Sequence, residues 1–201
     1  NVQSQAIVCY GDRLTNFTDF VRQLHMESLG KKTKIDGNPV NVNTGNVIWG
    51  GSGSDGQHSY FQLLHQGTYT IPIDFIVDAG VSDDQMDTYS LANCLAQSES
   101  LMAGMQEADP ERSIDGDKPN NVILVNKLSP QSIGQLVSLY EHKVFVQSVI
   151  YGINAFDQYG VELGKKIAQS LSKVISKSSR YTGKNPSTRA LLSKIREYKK
   201  G

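Results

Sequence analysis

Apolar positions fall into two periods along the chain. Compact apolar runs at Ala6-Ile7-Val8-Cys9-Tyr10, Val47-Ile48-Trp49, Thr70 to Val77 and Asn121 to Val125 predict buried strands. Between them the spacing lengthens to three or four. Leu14, Phe17, Val21 and Leu24 predict an amphipathic helix over 12–27 that Gly30 stops. A second helix is expected over 83–105 with Leu91, Leu95, Leu101 and Met102 inward, and Ser129-Pro130 opens a third that buries Ile133, Leu136, Val137 and Tyr140. The apolar stretch 144–153 continues as a core helix. A long helix opened by 156–165 carries the stripe Leu163, Ile167, Leu171, Val174 and Ile175, and a linker over 176–186 leads to a terminal basic helix over 187–198. The segments 31–46 and 107–121 read as loops. Alternating strands and helices predict an α/β fold. The strand, helix and strand over 47–77 are expected to form a parallel pair with a right-handed crossover.

The stretch from Val47 to Gly67 concentrates the candidate chemistry. It reads as a strand, a glycine-rich turn, and a helix opening with Gln57 and His58. Unpaired N–H groups at a helix start favour anions, and a histidine there can move protons near neutral pH. Gly51-x-Gly53-x-x-Gly56, with Asp74 about 20 residues on, is formally a dinucleotide fingerprint. Against it, Asp74 lies inside its apolar strand, and His58 stands where a small residue normally admits the pyrophosphate. Spacing alone leaves open a dinucleotide site, a structural turn or another ligand loop. Gln23 and Glu27, four apart, share one helical face. Taken singly, each candidate has a plainer reading: His58 as a cap or packing residue, as for His25, His65 and His142, Glu27 as a solvated charge, Lys165 as a surface lysine off its stripe, and Asp157 as an N-cap.

Composition narrows the classes. With 201 residues, 20 basic against 20 acidic side chains, and a pI near 7.1, no global field recruits nucleic acid or an anionic membrane. No apolar run reaches the roughly 20 residues of a membrane span, so a soluble protein is expected. Cys9 and Cys94 sit in apolar contexts and predict reduced core thiols and a cytoplasmic setting. The run of basic residues from Lys173 onward, with only Tyr181 and Tyr198 among them as aromatics, reads as a solvated tail.

Three motifs carry a family resemblance. Val47-Ile48-Trp49-Gly50 through Gly56-Gln57-His58 to Thr68 resembles the central motif of the phosphoglucose isomerase family. The pair Tyr140-Glu141-His142-Lys143-Val144-Phe145-Val146-Gln147 and Phe156-Asp157-Gln158-Tyr159-Gly160-Val161-Glu162-Leu163-Gly164-Lys165 resembles a second, and Gln23-Leu24-His25-Met26-Glu27-Ser28-Leu29-Gly30-Lys31 a third. The resemblance spans nearly the whole chain. It implies a three-layer α/β sandwich with a parallel sheet, the second sugar-isomerase-type domain of the family, over 1–175, and a linker with a C-terminal helical arm over 176–201. It also implies interconversion of glucose 6-phosphate and fructose 6-phosphate through a cis-enediol, without metal or cofactor. Glu27 falls on the base that moves a proton between C1 and C2, His58 and Lys165 fall on the groups that handle ring opening, and Gln23 and Gln158 on substrate-contacting glutamines. A homodimer in which His58 enters the partner's site is implied as well. Leu29, Ser54-Asp55 and Tyr159 depart from the family's usual Asn, Thr-Asn and Trp, beside the acting residues rather than at them. Family members extend further at the N-terminus, where a phosphate-clamping loop lies, so the expectation is a C-terminal portion that is inactive alone. The rival readings are a non-catalytic sugar-phosphate-binding module, a dinucleotide-binding domain using Gly51, Gly53 and Gly56, and a signalling role of the kind reported for some family members.

Overall fold

The computed structural model describes residues 2–80, 85–177 and 181–199, which pack as two compact units, 1–157 and 158–201. The first holds a four-stranded, wholly parallel sheet in the order β2-β1-β3-β4, with β1 Ser4–Tyr10, β2 Val47–Ser52, β3 Ile73–Asp78 and β4 Asn120–Val125. The crossover from β2 to β3 is therefore not between neighbours. Strand β1 lies between them, pairing Ile7 with Gly50 on one side and with Asp74 on the other.

Alternate residues of the central strands feed two cores, as the two-residue period of a strand requires. Ala6, Val8, Tyr10, Phe75 and Val77 face α3 (Phe61–Gln66) and α4 (Gln85–Ala103), where they meet Phe61, Leu64, Cys94 and Leu101. Ile7, Cys9 and Ile76 face α1 (Phe17–Leu29) and α5 (Pro130–Tyr151), where they meet Phe17, Val21, Leu136 and Tyr140. Helices on both faces of a parallel sheet make the three-layer sandwich expected of strands that alternate with helices.

Local chemistry explains most element ends. The Ser129 hydroxyl accepts the Ser132 N–H, the Ser132 hydroxyl accepts the Ser129 N–H at 2.9 Å, and Pro130 fills the first turn of α5. Gly152 closes that helix in the left-handed conformation at φ 68°. The hydroxyl of Thr18, buried in α1, donates to the Ile7 carbonyl at 3.1 Å and fixes the helix on the sheet.

Four packing expectations change. The inward line of α4 runs through Leu91, Cys94, Ser98 and Leu101, while Leu95 and Met102 are exposed. Ser98 occupies that line because its hydroxyl donates to the Asn120 side chain at 2.6 Å, a polar position that shifts the apparent phase of the apolar pattern. Strand β4 is an edge strand and only half-buried, with Leu124 exposed. The second half of α5 presents Phe145, Val146, Val149 and Ile150 to the exterior although Val144 and Ser148 are buried. In unit 158–201, α6 (Glu162–Lys177) and α7 (Pro186–Tyr198) bury Val174 and Leu192, whereas Leu163 and Ile167 of the expected stripe are exposed. The N-terminal edge of the 83–105 helix, residues 83 and 84, lies outside the described residues.

The units differ in charge. By sequence, 158–201 carries eleven lysines and arginines against two glutamates, and 1–157 carries nine basic residues against eighteen acidic ones. Both cysteines are buried and free, and burial pushes their thiols up, Cys9 to about 11 and Cys94 to about 12. No helix among the described residues is long and apolar enough to cross a membrane.

Candidate active site

The glycine-rich stretch is already helical where the sequence suggested a turn. Ser52 ends β2 and accepts the Asp55 N–H at 3.4 Å, starting the five-residue helix α2, Gly53–Gln57. Ser52 three residues before Asp55 is an N-cap signature that the glycines obscured. His58 therefore caps the C-terminal end of α2, its N–H donating to the Asp55 carbonyl at 3.3 Å, and does not open a helix. It is exposed. A helix start that attracts anions is absent at His58, because a short turn separates it from α3.

The glycines answer to packing. A Cβ on Gly53 would come within 2.4 Å of the Tyr10 ring, and one on Gly56 within 2.5 Å of the Tyr60 hydroxyl. Gly50, at φ 118°, approaches the Ile7 carbonyl so closely that a Cβ would lie 2.2 Å from it. The loop is thereby pressed onto β1 and onto an aromatic cluster in which Trp49 meets Tyr60 edge-on at 5.0 Å and Tyr60 stacks on Phe61 at 5.5 Å. Burial pushes the Tyr60 hydroxyl up to about 12.

Asp74 is committed elsewhere. It is the second residue of β3, buried, and accepts from Gln5 Nε2 at 2.8 Å, Asn121 Nδ2 at 2.9 Å, the Tyr140 hydroxyl at 3.1 Å and Lys143 Nζ at 3.3 Å. The dinucleotide motif needs its acidic residue at the carboxyl end of the second strand, beside the ribose, and Asp74 sits at the amino end of β3. With its lone pairs engaged and at the opposite end of its strand from where that motif needs it, Asp74 cannot hold a ribose, and the dinucleotide reading falls.

Glu27 and Gln23 are brought together. Both lie on α1, and Gln23 Nε2 donates to a Glu27 carboxylate oxygen at 3.4 Å. The sequence Leu29-Gly30 ends the helix, the Gly30 N–H donating to the Met26 carbonyl at 3.0 Å, so Glu27 stands on the last turn, half-exposed. Lys31 follows, and its ammonium donates to the carbonyls of Glu27, Ser28 and Asp157 at 2.9, 3.1 and 2.9 Å and pairs with the Asp157 carboxylate at 2.9 Å. His25, on the buried side of the same helix, is kept neutral. Burial first, and the Lys143 ammonium second, push its ring down to about 4.

Within one chain His58 and Glu27 are kept apart. Helix α1 begins beside the carboxyl end of β1, with Thr18 at Ile7, and runs back until the loop after it returns to Val47, which pairs with Ser4 at the amino end. Glu27 is therefore at the amino end, on the face of Ile7 and Cys9. His58 follows the carboxyl end of β2, on the face of Tyr10 and Phe61. Six residues of strand alone separate those ends by roughly 20 Å. Gln158 and Lys165 belong to the second unit, Gln158 exposed before the 3-10 turn Tyr159–Val161 and Lys165 exposed in the first turn of α6.

The chain is thus an α/β protein with a parallel sheet covered on both faces and a carboxylate and an amide paired one turn apart near the end of α1. The model of the family described as phosphoglucose isomerase matches residues 1–192, and the chain belongs to that family. It is 48% identical over 195 residues to glucose-6-phosphate isomerase of Xanthomonas oryzae pv. oryzae, covering 96% of this chain and 38% of that protein. The enzyme of the same name from Xanthomonas campestris pv. campestris is 47% identical over the same share. The crystal structure of a glucose-6-phosphate isomerase from Chlamydia trachomatis superposes with a TM-score of 0.83 at 33% identity, covering 98% of this chain and 38% of that one. A hypothetical protein from Thermus thermophilus shares the fold, with a TM-score of 0.64 at 19% identity. The chain thus spans well under half the length of these relatives.

Proposed function

We propose that this chain supplies the proton-transfer half of a glucose-6-phosphate isomerase, acting on glucose 6-phosphate and fructose 6-phosphate. Glu27 on the terminal turn of α1, paired with Gln23 one turn before it, in a chain of this family, carries the reading. Glu27 takes the proton from C2 of the opened sugar and returns it to C1, passing through a cis-enediol. That role needs a carboxylate held over two adjacent carbons, and a helix end fixed by Lys31 and packed on the sheet gives it a rigid base. Gln23 and Gln158 hold the substrate's oxygens, and His58 and Lys165 move protons at the ring oxygen during opening. Phosphate clamping falls to the part of the relatives' length that this chain does not span, so these 201 residues alone are expected to be inactive.

A homodimer follows from the same reading. Opposite placement of Glu27 and His58 within one chain favours a site to which the second subunit lends His58. The bare apolar face of α5 offers surface of the kind that associating subunits cover.

The decisive experiment is Glu27→Gln in the full-length enzyme. The amide keeps the shape and loses the base, so turnover should fall by about a hundredfold to ten-thousandfold while fructose 6-phosphate still binds. Turnover within a few fold of the unaltered enzyme removes Glu27 from the mechanism.

A further inference from the structure

The end of α1 and the segment 154–157 are tied by one cation. Lys31 Nζ meets three carbonyls, those of Glu27, Ser28 and Asp157, and one carboxylate oxygen of Asp157, all within 3.1 Å. An ammonium has three protons, and the three carbonyls take them up; the Asp157 carboxylate oxygen, 2.9 Å away, adds the attraction of an ion pair without a hydrogen bond of its own. Two of the carbonyls belong to the last turn of α1, where orphaned C=O groups and the negative end of the dipole attract a cation. The Lys31 and Asp157 side chains are each only 19% exposed, which limits the competition from water. Thr44 fixes the lysine's own backbone, its hydroxyl donating to the Lys31 carbonyl at 2.5 Å. On the far side, Asn154 Nδ2 donates to the second Asp157 oxygen at 2.9 Å.

Between Asn154 and Asp157 the backbone is strained. Phe156 lies at φ 63° without being glycine, and the residue is 55% exposed, so no buried ring compensates for the conformation. The next residue, Asp157, is held by Lys31 at its carbonyl and one carboxylate oxygen and by Asn154 at the other. Strain maintained next to a proposed substrate residue, Gln158, and anchored to the turn that carries the proposed base, points to positioning.

We infer that Lys31 is a positioning residue of the isomerase: by clamping the Glu27 and Ser28 carbonyls to Asp157, it fixes the Glu27 carboxylate over C1 and C2. The inference rests on the assignment of Glu27 as the base. Without the clamp the last turn of α1 is free to fray, and a displacement of about 1 Å at a reacting group costs on the order of a hundredfold. A loosened base also lets water reach the proton it carries between C2 and C1.

The test uses the full-length enzyme and glucose 6-phosphate deuterated at C2. Glu27 removes the deuteron from C2, and it then either reaches C1 or exchanges with solvent before a proton does, so the label at C1 of the product reports how well the base is enclosed. Lys31→Met should lower kcat by about ten- to a hundredfold and cut deuterium transfer to C1 several-fold. Lys31→Arg, which keeps the charge with a different donor geometry, should recover part of both. Asp157→Asn, which leaves the lysine's carbonyl contacts in place, should give a smaller change in the same direction and serves as the readout if Lys31→Met does not fold. A purely structural role would lower the active fraction and leave the transfer ratio of the surviving molecules unchanged. That result, or wild-type kcat in Lys31→Met, overturns the inference. Glu27→Gln run in parallel separates the two readings: if it remains active, the base assignment has failed; if it is dead while Lys31→Met behaves as wild type, only the positioning role has.

Discussion

Replacing Asp74 by asparagine tests whether the buried carboxylate is a structural hub. The substitution keeps the shape and leaves one acceptor oxygen where there were two. Gln5, Tyr140 and Lys143 all address the same carboxylate oxygen, and Asn121 addresses the other. The least harmful arrangement of the new amide keeps its oxygen toward the first three and turns its NH2 toward Asn121, so one donor faces another. An unsatisfied buried polar group costs about 1–3 kcal/mol. Loss of the negative partner of Lys143 adds to this, but less than the roughly 3–5 kcal/mol of a fully buried pair, because the lysine side chain is 33% exposed and water replaces part of the interaction. The sum is about 3 kcal/mol, or a fall in Tm of about 6–12 °C for a chain of this size. Urea unfolding followed by far-UV circular dichroism measures it. Lys143→Met should cost less on the Asp74→Asn background than alone, since its partner is already neutral. A loss below about 0.5 kcal/mol, or strict additivity of the two changes, would refute the network. NADH should bind neither form.

Three further outcomes follow from the geometry. Gly53→Ala should destabilise by about 1–3 kcal/mol, because the buried Tyr10 ring cannot retreat from the new methyl group, whereas Gly134→Ala, on an open side of α5, should gain about 0.5–1 kcal/mol; equal effects in thermal melts would contradict the packing argument. The folded chain holds His25 near 4, below its ordinary 6.5, so the unfolded chain binds the extra proton first and stability is lost as pH falls from about 6.5 towards 4, by at most about 1.4 kcal/mol per pH unit. His25→Gln should flatten that part of the stability curve, and an unchanged slope would mean the ring is not buried neutral. If the full-length enzyme is the proposed homodimer, its inactive Glu27→Gln and His58→Leu forms, dissociated and reassociated together, should recover roughly a quarter of wild-type activity, since half the dimers are mixed and each has one intact site. Recovery of none would place both residues in the same subunit's site.

The parallel sandwich was legible because strands buried on both faces give unbroken apolar runs, as in Ala6 to Tyr10, and helices between them keep a longer period. Strand order was not, since nothing in 47–77 states that β1 lies between β2 and β3. The phase of α4 was misread for a local reason, a serine on the buried line and two apolar residues beside it. Gln23 and Glu27 were readable from their spacing, and their pairing is what that spacing requires. The position of His58 in its helix was not, because Ser52 and Asp55 cap a turn that its glycines disguise as a loop. Asp74 looked like half of a nucleotide motif, since its four donors come from residues 5, 121, 140 and 143, far apart in sequence.

The opposite charges of the two units have a consequence for handling the protein. A pI near 7.1 suggests a nearly neutral particle, yet each copy is a strongly negative body followed by a strongly positive segment. At about 0.01 M salt, where screening extends some 30 Å, the positive segment of one molecule attracts the negative body of the next; near 0.15 M, where it extends about 8 Å, that attraction is confined to contact. Solubility should therefore rise with added salt, and a preparation that looks aggregated in dilute buffer should clear on raising ionic strength without any change in fold.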